Sequence, residues 1–490
     1  MRWIRGLLKG FTYRVFDGEG SYLIPLLFIN FIGTFGLSIV LPFLVFLVTD
    51  FGGNAFIYGV VAATYPVFQL IGGPVLGRWS DLYGRKRILL LSHTGTFLSW
   101  IVFLAALLLP EIEIFSISSR ILGAFVITIP LLVIFIARGL DGLTGGNVSV
   151  ANAYIADVTD DDNRSKNYGK MSISTNLGFI AGPLFAGILA GTRYGYSLPV
   201  IGAIFITFMG IIVIVFMLPE PLSCSNEFEK KPEIRENDNH KKTEKNKRKL
   251  NISELKKLLG LEFRECIKAI DPLKPIKDNG KYGEDKKNNG KKRTRKMGIR
   301  DVLSMPYIFL IMVMYFLMFI GFNLFYTAFP VHAIENLGWN VQKMGLYFSY
   351  LSLMLVIVQG PVLTRVSKKY SDSILVFAGC FLLGTNFILL ESGDQFLTYL
   401  AAVFFALGNG VMWPSINSIL SKVAGKVHQG AVQGVASAVT SLSSIFGLLA
   451  GGYLYGKIGS SVFLIAAFTI YISTILSVRF ISVKEWKSEK

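Results

Sequence analysis

Long apolar runs alternate with short polar segments along most of this 490-residue chain. The first run, residues 23–48, contains no charged side chain, and it exceeds the about 20 apolar residues that a helix needs to cross a bilayer. Similar runs follow at residues 57–76, 88–109, 130–155, 171–190, 199–218, 306–331, 344–363, 373–390, 396–420, 431–455 and 462–481. The pattern predicts an all-α polytopic membrane protein with about twelve transmembrane helices.

One polar segment, near residues 221–300, interrupts this pattern. We therefore expect a six-helix bundle at residues 1–219, a basic and mostly disordered cytoplasmic linker at 220–305, and a second six-helix bundle at 306–490. Within the linker, residues 250–270 mix leucines with lysines and glutamates, which is typical of a helix lying on the anionic membrane surface. A plain tether is the favoured alternative for the linker as a whole.

Two internal repeats relate the halves of the chain. Residues 73–80 read GPVLGRWS and residues 360–367 read GPVLTRVS, at the ends of the second and eighth predicted spans. Residues 169–187 share seven positions with residues 434–452, in the fifth and eleventh spans. The loop at 111–129, longer than its counterpart, accounts for the different offset. These repeats predict two pseudo-symmetric bundles with the transport pathway between them.

Composition and charge narrow the class. Hydrophobic residues make up 52% of the chain and charged residues 17%, whereas soluble domains have about a quarter charged. The net charge of +17 does not indicate nucleic acid binding, because lysines and arginines gather in alternate loops. That bias predicts that both termini and the linker are cytoplasmic. Cys224, Cys266 and Cys380 lack ligand spacing, so neither a metal nor a cofactor is expected.

The loop after the second span contains Gly77, Asp81, Gly84, Arg85 and Lys86. Gly84 permits a tight turn, the two cations hold the turn at the membrane surface, and Asp81 requires a partner. The string resembles the loop signature of the major facilitator superfamily, Gly-x-x-x-Asp-x-x-Gly-Arg-Lys/Arg. The resemblance implies a conformational switch.

Further motifs strengthen this resemblance. The fourth span contains Arg138-x-x-x-Gly142, similar to the Arg-x-x-x-Gly element of the superfamily, and closes with Asp157. The start of the eleventh span, residues 429–434, resembles tetracycline-efflux transporters. The resemblance implies that Arg85 meets Asp157 and that Asp81 meets the start of the eleventh span.

Small residues follow one another at helical spacing in the fifth span. Gly178, Gly182, Pro183 and Gly187 resemble the Gly/Pro motif of the drug:proton antiporter branch. Independently of any resemblance, glycines spaced four apart let helices approach closely, and a proline inside a span can kink it. Such a helix suits the interface between two rocking halves, and simple close packing is the alternative.

Charges inside spans are costly, about 2.5–3.5 kcal/mol each on insertion scales. Arg138 and Asp141 lie three residues apart in the fourth span, so they share one helix surface. They form either a cavity-lining pair in which Asp141 takes up a proton, or a neutralised structural pair. Many drug:proton antiporters that this chain resembles have an acid in the first span. This chain has Gly33 at that position, so the sequence leaves open whether transport is coupled to protons.

Amides and aromatic residues supply candidates for a substrate cavity. Each can line the cavity or can cross-link helices instead. The candidates are Asn30, Asn147, Asn323, Tyr326, Gln359, Asn409 and Trp413.

We therefore expect a secondary active transporter of the cell membrane, not an enzyme, that moves a small molecule by alternating access. Its expected partners are that molecule, membrane lipids and, if transport is coupled, protons; a monomer is expected. Efflux of amphipathic compounds driven by protons is the main hypothesis. Uniport or symport of a polar solute, and a sensor or scaffold role, are alternatives.

Overall fold

The computed structural model of the protein describes residues 23–145, 147–159, 161–220 and 299–481, with the backbone alone at several positions, among them Asn147 and residues 426–431. The predicted surface helix at 250–270 lies outside these residues, as does most of the predicted linker. The last part of that linker contains a short helix, Ile299–Leu303.

Spans one to six form the first half of the fold. They comprise Leu23–Ile39 and Leu44–Asp50 (span one), Ala55–Tyr83 (two), Arg85–Leu108 (three), Ile129–Thr144 and Asn147–Val158 (four), Asp161–Ala190 (five) and Ser197–Met217 (six).

Spans seven to twelve form the second half. They comprise Ile308–Glu335 (seven), Val341–Ile357 with the π-helical turn Val358–Val362 and Leu363–Val366 (eight), Asp372–Glu391 (nine), Gln395–Ile458 (ten and eleven), and Val462–Ile481 (twelve). Gly425, with φ 61°, breaks the long helix into spans ten and eleven.

Ten segments of the described chain are long and apolar enough to cross a membrane. The last of them, Val432–Phe480, has 49 residues and would extend about 74 Å as one helix, more than twice a hydrocarbon core. It therefore contains spans eleven and twelve. The first helix of span four ends at Thr144, with Gly145 outside it, and the second begins at Asn147, so each piece is too short to be counted alone. Together these segments give the predicted twelve-helix, all-α membrane fold.

Side chains cap the first turns of spans two, eight and ten: Asn54, Asn340 and Asp394 each accept a hydrogen bond from a backbone amide. Asn54 accepts a hydrogen bond from the Ile57 amide at 3.1 Å, and Asn340 accepts one from the Lys343 amide at 2.9 Å. An amide or carboxylate oxygen at this position satisfies a backbone N–H that the first helical turn leaves free. Spans two and eight correspond in the internal repeat, and both begin with a capping asparagine.

A β-hairpin occupies the long loop between spans three and four. Strands β1 (Glu113–Ser119) and β2 (Gly123–Thr128) pair antiparallel. The Asn54 amide donates to the Leu122 carbonyl at 2.9 Å, and the Val126 amide donates to the Gly52 carbonyl at 2.9 Å. These hydrogen bonds hold the hairpin against the loop between spans one and two. We call this end of the bundle the hairpin face, and the end that carries the loop 77–87 the basic face.

The two halves meet along two pairs of spans. Span two packs against span eleven, and span five packs against span eight. Within the first half, a buried apolar cluster joins spans one, three, four and six near the basic face; it includes Leu26, Leu89, Tyr154 and Ile214. This packing fixes the helices that border the space between the halves.

Candidate substrate cavity and switch loop

A cavity of about 400 Å³ lies between the two halves. Its size falls within the range of small-molecule pockets. Spans one, two, four, five, seven, eight, ten and eleven contribute to its walls. The polar side chains that line it are Tyr58, Tyr65, Gln69, Arg138 and Asn176 from the first half, and Asn323, Tyr326, Ser352, Gln359, Asn409 and Ser444 from the second.

Spans two and eleven pack backbone to backbone at the hairpin face. A Cβ added at Gly59 would lie 2.7 Å from the Leu448 carbonyl oxygen and 3.2 Å from the Gly452 Cα. A Cβ at Gly452 would overlap the carbonyl oxygen of Ala55. Only glycine permits this approach, so these two positions close one side of the cavity.

Spans five and eight make the equivalent contact on the other side. A Cβ at Gly345 would lie 2.6 Å from the Gly187 Cα and 2.6 Å from the Pro183 carbonyl oxygen. Gly191 approaches the side chain of Gln342 with similar closeness. Both pairs of spans therefore close at the hairpin face.

Hydrogen bonds connect polar groups within the cavity walls. The Asn176 amide donates to the Gln359 carbonyl oxygen at 3.0 Å, which joins the first half to the second. The Asn323 amide donates to Ser444 at 3.1 Å within the second half. The Gln69 amide donates to the Gly145 carbonyl at 2.9 Å and to the Tyr65 hydroxyl at 3.1 Å.

The charged pair of span four is buried beside this cavity. One guanidinium nitrogen of Arg138 lies 3.5 Å from a carboxylate oxygen of Asp141, at the limit of a hydrogen bond. Arg138 borders the cavity and stacks over the Tyr65 ring at 4.9 Å. Asp141 borders a separate small void with Ser99, Trp100 and Phe103.

Four of the candidate residues line this cavity: Asn323, Tyr326, Gln359 and Asn409. Asn30 does not line the cavity and takes the alternative role, the cross-linking of helices. Its amide donates to the Met171 carbonyl at 3.2 Å and to Thr175 at 2.8 Å, which cross-links spans one and five. Trp413 is not among the lining residues either.

The Trp413 ring packs against span seven instead. Its centroid lies 5.2 Å from the Tyr315 ring and 5.0 Å from the Phe319 ring, inside the second half. The Asn147 side chain lies outside the described part of the chain, so its predicted place in the cavity stays a prediction.

Several lining residues were missed by sequence reasoning. Tyr65 and Gln69 lie four residues apart in span two, and Asn176 lies in span five. An uncharged polar residue inside an apolar run is the signal that could have found Gln69 and Asn176. Tyr65 gave no such signal, because its ring is as apolar as the run around it.

The loop 77–87 is held by charged groups of the first half. Arg85 Nε donates to Asp157 at 2.8 Å, the contact that the resemblance implies, and Arg85 also pairs with Asp81 at 2.5 Å. Asp81 remains largely exposed, at 63% of its side chain. The side chains of residues 426–431, where span eleven begins, lie outside the described residues, so the implied contact with Asp81 stays a prediction.

Glu220 is a further member of this loop cluster that the sequence did not reveal. Its carboxylate accepts from the backbone amides of Arg85 at 2.8 Å and Lys86 at 3.1 Å, and so satisfies the first turn of span three. Gly84 adopts φ 99°, and a Cβ there would lie 2.5 Å from the same carboxylate. The turn therefore requires glycine. The Lys86 ammonium donates to the Val215 carbonyl at 2.9 Å.

The Gly/Pro motif of span five faces two neighbours. A Cβ at Gly178 would lie 2.5 Å from the Thr34 hydroxyl, and one at Gly182 would overlap the Ser38 hydroxyl, so these glycines pack against span one. Gly187, a turn farther along, packs against span eight. Span five is thereby in close contact with both halves.

Two sets of six spans that enclose a central cavity define a polytopic membrane protein with the architecture of a transporter. The family model of the Major Facilitator Superfamily matches residues 26–442, and again residues 373–490. The chain therefore belongs to the Major Facilitator Superfamily.

Relatives and solved structures agree with this assignment. The class E tetracycline resistance protein of Escherichia coli is 25% identical over 433 residues, 88% of this chain and 86% of that protein. Multidrug resistance protein 2 of Bacillus subtilis (strain 168) is 24% identical over 466 residues, 94% of each chain. The structure of the D-xylose-proton symporter superposes with a TM-score of 0.66 and 14% identity, covering 95% of this chain and 98% of that one, and shows the fold alone.

Proposed function

We propose that this protein is a secondary active transporter that exports small amphipathic molecules by alternating access. The observation that carries the proposal is the cavity of about 400 Å³ between the halves, closed at the hairpin face by the pairs Gly59–Gly452 and Gly187–Gly345. A cavity closed on one side by contacts between two repeats is what alternating access requires.

Export and amphipathic substrates are supported by two lines of observation. The relatives include proteins named for tetracycline and multidrug resistance, which points to efflux rather than uptake. The walls combine aromatic rings with amides, which suits a substrate that has both apolar and polar parts. Polar solutes would find fewer hydrogen-bonding partners on the rings of Phe322, Tyr326 and Phe348, which line the cavity.

In this proposal the halves 1–219 and 306–490 move against each other, while residues 220–305 tether them. The loop 77–87 belongs to the switch, because Arg85 and Asp157 join spans three and four at the basic face. The basic face is cytoplasmic, in agreement with the positive-inside rule. One chain encloses the whole cavity, so a monomer surrounded by lipid suffices for transport.

Proton coupling is a separate part of the proposal. Asp141 is the carboxylate near the middle of the first half, and it lies beside Arg138, which borders the cavity. A carboxyl whose surroundings change between the two states can bind a proton in one and release it in the other. We assign the coupling proton to Asp141 on this ground.

Reconstituted vesicles test both parts. Purified protein in proteoliposomes should accelerate the flux of a fluorescent amphipathic drug relative to protein-free vesicles, and an imposed pH gradient should drive its accumulation. Asp141→Asn should lose gradient-driven accumulation while substrate exchange continues. Equal flux with and without the protein would reject the transport function, and unchanged accumulation by Asp141→Asn would reject the role of Asp141.

A further inference from the structure

The guanidinium of Arg138 is buried at the cavity wall with few partners. The residue is 7% exposed, and no described acceptor lies within hydrogen-bonding distance of its Nε. Its contact with Asp141 is long, at 3.5 Å, and its other neighbour is the face of the Tyr65 ring. Guanidinium has five N–H donors, and a buried donor without an acceptor is unfavourable. A ligand oxygen at this wall would relieve that deficit.

Asp141 pairs with one guanidinium nitrogen of Arg138, but it is not among the residues that line the cavity. Its carboxylate borders the small void beside Ser99 and Trp100, which Arg138 also lines. Among the lining residues that the structure describes, Arg138 is the one with a full charge at neutral pH. Electrostatic interactions are stronger in a medium of low dielectric constant. A molecule bound in the cavity therefore experiences the positive charge of Arg138.

The opposite wall of the cavity is a set of aromatic rings from the second half. The ring centroids of Phe322 and Tyr326 are 4.6 Å apart, and Tyr326 stacks on Phe348 at 6.2 Å with 15° between the planes. All three line the cavity. We call these rings the aromatic wall and Arg138 with Tyr65 and Gln69 the cationic wall. A planar apolar body fits against the first, and an acidic group against the second.

We propose that the substrates of this site are amphipathic aromatic anions, with the acidic group at Arg138 and the ring system against Phe322, Tyr326 and Phe348. The inference rests on the proposed transport function and names its substrate class. Carboxylate or sulfonate oxygens would accept from the free donors of the guanidinium, which matches such groups in a two-pronged geometry. A cation at the same place would be repelled by Arg138.

An anionic substrate also bears on how export is driven. A membrane potential that is negative inside favours the exit of an anion. The membrane potential therefore adds to the driving force of the coupling proton that we propose at Asp141.

Binding to the purified full-length protein tests the proposal without requiring transport. Three probes of one ring system are compared by isothermal titration: 2-naphthoate, 2-naphthamide and (2-naphthyl)trimethylammonium. We expect the anion to bind at least tenfold more tightly than the amide, and the ammonium most weakly. Tighter binding of the ammonium, or equal binding of anion and amide, would overturn the proposal.

Two variants separate the walls. Arg138→Gln should bring the ratio of anion to amide affinity close to one, whereas Arg138→Lys should keep part of the preference because the charge stays but the two-pronged geometry is lost. Tyr326→Ala should weaken all three probes without changing their order. A preference for the anion that survives in Arg138→Gln, with the variant folded by its thermal unfolding curve, would contradict the assignment.

The results separate this proposal from the transport function. An anion preference without flux in proteoliposomes would reject transport and leave the ligand class in place. Flux of neutral or cationic drugs without an anion preference would reject the ligand class and leave transport in place.

Discussion

Spans two and eleven differ in their packing between the hairpin face and the basic face. At the hairpin face Gly59 and Gly452 bring the backbones into contact. At the basic face a Cβ at Gly77 or Gly434 would meet no described atom within 4 Å. About five helical turns separate the two glycines on each helix, so both lie on nearly the same side of it.

The difference shows how one pair of helices can serve two gates. The same side of span two is in contact at one end and free at the other, and the same holds for span eleven. In span eight, Gly345 is packed against Gly187, while Gly360 is free of described neighbours within 4 Å. We therefore expect the free glycines to come into contact when the hairpin face opens, since rigid halves rock about the cavity.

The largest expected difference between the hairpin face and the basic face is their accessibility to a reagent added outside the cell. In a variant without the natural cysteines, single cysteines at Glu113 and Glu391 should react fully with an impermeant reagent added outside intact cells. Cysteines at Gly77 and Gly434 should react only after the cells are made permeable, because the basic face is proposed to be cytoplasmic. Labelling of Glu113→Cys and Glu391→Cys only from the cytoplasm would show that the protein has the opposite orientation in the membrane.

Gly452→Val should break the contact at the hairpin face. The side chain would overlap Ala55, and overpacking of this kind costs about 1–3 kcal/mol, enough to change the ratio of two states up to roughly a hundredfold. Flux in proteoliposomes should fall accordingly. The matched control is Gly456→Val, one turn along the same helix, where a Cβ meets nothing described within 4 Å. Equal flux by the two variants would show that the contact does not limit transport.

Asp81→Ala tests the basic face. In the present state Asp81 pairs with Arg85, which also retains Asp157, so the change should leave this state and membrane insertion nearly intact. We expect roughly tenfold slower transport, the effect of losing a charge-assisted hydrogen bond of about 1.5 kcal/mol from the other state. Wild-type flux at normal expression would refute a role for Asp81 in the switch.

Lys457→Ala should have the smallest effect on transport of the variants proposed here. The Lys457 ammonium donates to the Arg120 carbonyl at the tip of the β-hairpin, which links the second half to the first at the hairpin face. The contact is exposed, and exposed polar contacts contribute little, so flux should change by less than about twofold. A larger loss would assign the hairpin a part in closing this face.

Much of this molecule follows from local sequence. Apolar length alone predicts the spans, because a helix in a bilayer must satisfy its own backbone groups. The β-hairpin was expected only as a loop, since exposed strands outside the membrane carry no strong apolar pattern. Apolar length predicts span four as one helix over 130–155, whereas in the structure a helix ends at Thr144 and the next begins at Asn147.

The site was less predictable than the spans. Asn323 and Asn30 are both amides in apolar runs, yet Asn323 borders the cavity and Asn30 cross-links spans one and five. Sequence gives the depth of such a residue but not the side of the helix that faces a cavity. That side depends on how neighbouring helices pack, which involves residues far apart in the chain.

The sequence by itself determined the membrane class, the twelve spans, the family and the motif glycines, because each depends on apolar length or on a short contiguous string. Only the tertiary structure decided which glycines are in contact, which polar groups line the cavity, and that Arg138 borders it while Asp141 does not. These features join residues from both halves, and their positions follow from helix packing in three dimensions rather than from any local pattern.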